Sequence, residues 1–181
     1  MVCDVMERGD QTIILRKGGI SEGKLGFQWL HEAFFLFPTY FHEQAAQLRP
    51  GAVAEAPALP ETEPDVVSIR LFAEIVETRH LTSLEAALAL EPLHVWSREV
   101  VEERFRWGES PGLSLAILRV FRLSQPWDLT QRAGFGGCRS WLGLPVGEGL
   151  PEDWRATLTP VLSEDRIQET RDALDALAVA R

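Results

Sequence analysis

The sequence predicts an α+β fold: a curved, largely antiparallel sheet or open barrel with short helices and a helical C-terminal tail. Three observations carry this. Apolar and polar residues alternate along Val66–Arg79, the period of a half-buried strand. Gly112–Leu123 is a denser apolar run and the clearest strand in the chain. Helical spacing is confined to short segments between the strands and to the C-terminal end, where Ile167, Thr170, Leu174 and Leu177 recur at three to four residues.

Taken in order, residues 2–6 and 11–17 flank Glu7-Arg8-Gly9-Asp10, a turn composition between β-branched runs that predicts a hairpin over 2–17. Phe27–Phe37 reads as two short strands or one long bent strand, ended by Pro38, which has no N–H to donate. A short helix follows from Thr39 or His42 to Leu48. Residues 51–64, with Pro57, Pro60 and Pro64 among alanines and glutamates, predict a mobile linker or surface loop. The strand 66–79 leads to Thr82-Ser83-Leu84-Glu85, a capping-box pattern opening a helix over 84–90. Ser97 is placed to cap a second helix that Gly108 ends. The strand 112–123, a loop over 124–134 and a last strand over 138–144 complete a single domain over 1–150. Residues 151–181 form the helical tail, whose apolar stripe is expected to pack on the sheet or on a second copy of the chain in a homodimer.

With 181 residues the chain is long enough for one self-sufficient core. Its net charge of −9 is concentrated in 51–90 and 151–181, and no basic cluster of the kind that coats a duplex stands out. No apolar run approaches a membrane span, and the N-terminus has no basic segment followed by an apolar one, so no membrane partner and a cytoplasmic location are expected. Cys3 and Cys138 are expected as reduced thiols.

Chemistry is expected at the edge of the aromatic stretch Phe27–Gln44, which holds five of the nine phenylalanines and the single tyrosine. Arg16 and Lys17 precede Gly18-Gly19, which reads either as an anion-binding nest of exposed backbone amides beside two cations or as a flexible connection whose glycines serve only the bend. Gly136-Gly137-Cys138-Arg139 repeats a glycine pair beside an arginine, and Arg119 and Arg122 interrupt an apolar strand. An arginine there requires a partner: Glu32 or Glu74 across the sheet, or a polar cavity. Tyr40, Trp96 and Trp141 offer faces on which a base can stack. His94 precedes a helix N-terminus. Neither HExxH nor CxxC spacing occurs, so no metal site is assigned from spacing. No catalytic residue and no cofactor is assigned.

Taken together, Arg16-Lys17-Gly18-Gly19, Phe35-Leu36-Phe37-Pro38-Thr39-Tyr40-Phe41-His42, His94-Val95-Trp96 and Gly137-Cys138-Arg139-Ser140-Trp141 resemble the bacterial family defined by the domain of unknown function 1802, over about residues 1–145. The resemblance implies an intracellular bacterial protein and supplies neither activity nor ligand. The residues themselves point to a nucleotide-binding or single-stranded nucleic-acid-binding domain. Its expected site comprises Arg16, Lys17, Gly18, Gly19, Tyr40, His42, His94, Trp96, Arg119 and Arg139. A metal-dependent phosphodiester hydrolase using Glu32, His42 and His94, or a carboxylate pair Glu32 and Glu74 with Lys17, is the alternative. A non-catalytic interaction scaffold is the third.

Overall fold

The computed structural model describes residues 2–17, 27–39, 47–52, 64–132, 134–135 and 140–179. Among these, strands β1 (Ile13–Arg16), β2 (Ala33–Leu36), β3 (Val66–Leu81), β4 (Leu113–Thr130) and β5 (Thr159–Pro160) form one sheet. Helices α1 (Val2–Arg8), α2 (Leu84–Ala89), α3 (Arg98–Arg106) and α4 (Glu164–Val179) surround it. The strand order is β1-β4-β3-β2, with β5 also pairing β4. Every pairing is antiparallel, and the sheet is open. The fold is therefore α+β.

The sheet is built on a long ribbon of β3 and β4, in register from Leu81 opposite Leu113 to Val66 opposite Thr130. On its other side β4 pairs first with β1, at Ser114–Ile117, and then with β5, at Phe121 and Arg122. Apolar residues on both faces of β4 follow from this central place. Leu113, Leu115 and Ile117 enter a core with Ile13 and Leu15 of β1, Ala87 of α2, Val101 and Phe105 of α3, and Ile167 and Leu174 of α4. Ala116, Leu118 and Val120 enter a second core with Leu71, Ala73 and Met6 of α1. A third cluster around Ile69, Trp127 and Leu129 fills the far end of the ribbon with Phe35, Phe37 and Leu144.

Several local signals act as expected. Ser83 accepts a hydrogen bond from the Ala86 N–H and caps α2, one residue later than the capping-box pattern implies. Ser97 accepts from the Val100 N–H and caps α3.

Four expectations are corrected. Residues 2–8 are helical, and the hairpin over 2–17 is replaced by a helix followed by a strand. The Gly9 N–H bonds the Met6 carbonyl at 3.0 Å and the Asp10 N–H bonds the Val5 carbonyl at 3.1 Å. With Gly9 at φ +81°, this is a Schellman helix end rather than a hairpin turn. Val2 and Met6 join the second core, and Val5 is fully buried beside them in sequence. In Phe27–Phe37 the strand is limited to Ala33–Leu36.

β4 continues past Leu123 to Thr130, because the register shift between Ile69 and Leu71 accommodates residues 123–126 as a bulge. Pro126 sits in that bulge, where no ladder N–H is required. Residues 140–144 carry no strand. The Trp141 indole instead packs edge-on to Phe34 and His31 and stacks over Phe27.

The C-terminal segment supplies β5 and core residues Ile167 and Leu174, so its apolar stripe packs within the same chain. No helix among the described residues is long and apolar enough to cross a membrane. The loop expected over 51–64 falls, at 53–63, outside the described residues, as do most of the helix expected over 39–48 and residues 136–139.

Ile167→Ala is expected to cost about 2–4 kcal/mol, because a 3% exposed side chain leaves a cavity in the α2–α3–α4 core. Arg166→Ala, next to it in sequence, removes an exposed pair with Glu169 and is expected to change stability by less than about 0.5 kcal/mol. Urea unfolding midpoints of the two variants check this contrast.

Candidate functional site

Gln11 begins the construction of the site. It is 3% exposed; its Nε2 donates to the Ile13 carbonyl at 2.8 Å and its Oε1 accepts from the Val95 N–H at 3.0 Å. This amide ties the start of β1 to the segment His94–Ser97. That segment makes a short ladder with residues 47–49: Arg49 N–H to Val95 O, Ser97 N–H to Gln47 O, and Leu48 opposite Trp96. The Arg49 side chain also donates to the His94 carbonyl at 2.9 Å. Trp96 is therefore fixed through its backbone before α3 begins.

The other wall is the C-terminal turn of α3. Lys17, at the end of β1, directs its ammonium at carbonyls left open there, donating to Ser110 at 2.6 Å, Gly112 at 2.9 Å and Phe105 at 3.4 Å. Three acceptors match the three donors of an ammonium, and the helix dipole favours a cation at this end. Lys17 is a helix-end clamp, and burial lowers its pKa.

Arg16 lies over the Phe27 ring, 5.3 Å from its centroid. Arg104, in the last turn of α3, lies over Trp96 at 4.4 Å. The Arg104 guanidinium is half-buried, and no carboxylate within salt-bridge distance accompanies it among the described residues. Burial lowers its pKa, the like charge of Arg16 lowers it further, and Glu103 only partly offsets both. At the end of the same helix Trp107 is 52% exposed.

The structure thus gathers Arg16, Lys17 and Trp96 of the expected residues at one corner. Sequence reasoning missed Arg104. Its signal was available: Val101 and Phe105 define the buried face of α3, and Arg104 lies beside Phe105 at the edge of that face.

His94 belongs to the corner but not to its surface. It is 3% exposed, and among the described residues neither Nδ1 nor Nε2 has a hydrogen-bond partner; nor has the buried Nε of Arg49. Burial, and then the Arg49 charge, push the imidazole pKa down to about 4.

Arg119 lies elsewhere. Its guanidinium grips Glu164 at the start of α4 with two 2.7 Å hydrogen bonds and reaches Glu74 at 3.5 Å. These bonds raise its pKa and lower that of Glu164. Of the two partners expected for Arg119, Glu74 is found, and the main acceptor is a residue of the tail. Arg122 donates to the Glu7 carbonyl of α1. Gly18, Gly19, Tyr40, His42, Cys138 and Arg139 lie outside the described residues.

Among the described residues no three His, Cys, Asp or Glu side chains gather as metal ligands. Cys3 is unpaired, and burial pushes its thiol up to about 11, away from nucleophilic use.

With this geometry in place, comparison with known families is decisive on one point. The family model for the domain of unknown function DUF1802 matches residues 1–173. The chain belongs to the DUF1802 family. The match extends through most of α4, beyond the stretch over which the sequence motifs carry the resemblance, in keeping with the core residues that this helix supplies to the DUF1802 fold. No curated protein and no solved structure matches the chain.

A neutral His94 in the fold carries a definite pH signature. Its pKa is about 4 when folded and near 6.5 when unfolded. Between those values the unfolded chain binds the extra proton, so stability is full above pH 6.5 and falls as the pH drops toward 4. The loss attributable to this group approaches about 3 kcal/mol at the bottom of the window. His94→Leu is expected to abolish that component, so thermal melts at pH 7.5, 6 and 5 should show the variant gaining on the parent as the pH falls. A constant difference across the series would contradict it.

Proposed function

We propose that this protein binds a nucleotide or single-stranded nucleic acid, in the cytoplasm of its cell, through the corner formed by Arg16, Arg104 and Trp96. The observation that carries the proposal is Arg104. A half-buried guanidinium beside a second arginine loses hydration and gains repulsion, and a nearby anion removes both penalties. Elsewhere among the described residues arginines typically meet carboxylates, as at Arg70 with Asp4 and Glu7, Arg79 with Glu77 and Asp175, and Arg132 with Glu148. Arg104 departs from that pattern in a chain of net charge −9, where acidic partners are plentiful.

Guanidinium groups suit phosphate because they offer two parallel N–H donors. The aromatic partners at Phe27 and Trp96 hold both arginines from behind, and exposed Trp107 ends the helix that carries Arg104. An anion bearing an aromatic ring uses all of these features, and a nucleotide has that chemistry. The chemistry asked of the corner is binding.

A nucleotide panel read by thermal shift tests the proposal. A ligand at about a hundred times its Kd adds about 2.7 kcal/mol, or about 5–10 °C for a domain of this size. Arg104→Gln is expected to remove the shift, while Arg166→Gln, on the exposed face of α4, should leave it intact. A full shift in the Arg104→Gln protein, or none in the parent with any nucleotide, overturns the assignment.

A further inference from the structure

We infer that Trp107 is the residue on which the base of the ligand stacks, with the phosphate held by Arg104 on the same face of α3. The inference rests on the nucleotide-binding reading and assigns the base-recognising residue within it. Of the cations at the corner it uses Arg104 alone.

Trp96 and Trp141, the stacking faces expected from sequence that fall among the described residues, are both engaged within the chain. Trp96 packs against the first core and carries the Arg104 guanidinium over its ring at 4.4 Å. Trp141 is stacked on Phe27, meets Phe34 and His31 edge-on, and donates its indole N–H to the Gln28 carbonyl at 3.1 Å. A ring held in these ways supports its neighbours, and a base would have to displace a contact to reach it.

Trp107 is placed differently. It is 52% exposed at the C-cap of α3, where its N–H donates to the Arg104 carbonyl at 3.3 Å. Residues three apart on a helix are surface neighbours, with roughly 5–6 Å between their Cβ atoms. Arg104 and Trp107 therefore stand side by side, while Arg106 is turned to Glu102 at 3.3 Å. A single exposed apolar side chain is ordinary on a protein surface. The neighbour is what distinguishes this one: a half-buried guanidinium whose planar donors suit phosphate. A ligand with an anionic end and a flat end can contact both residues at once.

The backbone under Trp107 is fixed. The Gly112 N–H donates to the Phe105 carbonyl at 2.9 Å, and Gly108, at φ +81°, turns the chain directly after the indole. Lys17 closes the same loop by donating to the carbonyls of Phe105, Ser110 and Gly112. An indole on an anchored turn loses little freedom when a ring stacks on it. The Lys17 ammonium also offsets the negative end of the α3 dipole, which would otherwise repel a phosphate beside Trp107.

Calorimetric titration with ligands matched for phosphate and differing in the base tests the inference. The base-bearing ligands are the ribonucleoside 5′-mono- and triphosphates and an oligothymidylate. Their base-free counterparts are ribose 5-phosphate, tripolyphosphate and an abasic oligomer of the same length. The parent is expected to bind base-bearing ligands more tightly by about fivefold or more, the size of one base–aromatic stack. Trp107→Ala, checked for native melting, should lose that preference while binding the base-free ligands as the parent does, and Trp107→Phe should keep part of it. Arg104→Gln should weaken both sets. An undiminished preference in Trp107→Ala would overturn the inference and leave the nucleotide reading standing. Equal weakening of both sets by Trp107→Ala, or equal affinity of the parent for both, would also overturn it. Absence of binding by every base-bearing ligand would overturn the inference and the reading together.

Discussion

β4 is hydrogen-bonded on both edges and covered on both faces, and that position constrains the remainder of the molecule. Its outer neighbours β1 and β5 occupy successive parts of one edge, while β3 follows the other edge nearly throughout. Leucine, isoleucine, valine and alanine suit such a strand; arginine does not unless its charge is matched. β4 nevertheless carries Arg119 and Arg122, and β3 carries Arg70 opposite the bulge. Their partners lie on helices: Glu164 of α4 for Arg119, the Glu7 carbonyl of α1 for Arg122, and Asp4 and Glu7 of α1 for Arg70. The strand arginines thereby fix where α1 and α4 dock. Burial of Met6, Ile167 and Leu174 provides most of the driving force for that docking, and the guanidinium groups give it direction.

This arrangement separates two kinds of cation. Arg70, Arg79, Arg119 and Arg122 of β3 and β4 act within the fold, each answered by a carboxylate or a carbonyl of a helix. Lys17 belongs with them, since its ammonium closes the C-terminal turn of α3. Arg104 differs, being answered by an indole face. A cation–π contact offsets part of the cost of burying a guanidinium but leaves its in-plane N–H donors unused. Those donors are the groups through which arginine recognises phosphate.

Strand β3, the first two thirds of β4, α2 and α3 were legible in the sequence because their signals are local. Alternation over more than ten residues sets a strand, and a serine before an amphipathic segment sets a helix start. Residues 2–8 were not legible. Over seven residues the periods of two and 3.6 are hard to separate, and the β-branched bias of Val2 and Val5 favoured a strand. The helix forms because Met6 and Val5 can be buried under it while Gly9 ends it cleanly. Residues 140–144 misled for a related reason. The apolar character of Trp141 and Leu144 is satisfied by packing, on Phe27 and Phe34 in one case and on the Trp127 cluster in the other, without a ladder.

The site was legible only as residue types. Arg16, Lys17 and Trp96 lie at one corner, yet what each cation does depends on partners far away in the chain. The carbonyls that bind Lys17 are 88 to 95 residues distant, and Glu164 is 45 residues from Arg119. No local pattern distinguishes a guanidinium that will meet a carboxylate from one that will not. Arg104 was hidden for the same reason, inside a helix that reads simply as amphipathic.

The segment of His94 explains why the corner is rigid. His94 contributes its backbone: its carbonyl accepts from Arg49, and the next N–H is held by Gln11. Its imidazole is buried with both nitrogens unanswered among the described residues, a cost of roughly 1–3 kcal/mol by the usual penalty for an unsatisfied polar group. That cost is tolerated because the surrounding bonds over-determine the segment: the ladder to residues 47–49, the Gln11 bridge and the Ser97 cap all fix Trp96 independently of the imidazole. An indole so anchored cannot yield when Arg104 lies over it. The guanidinium is therefore held in one place by the fold itself.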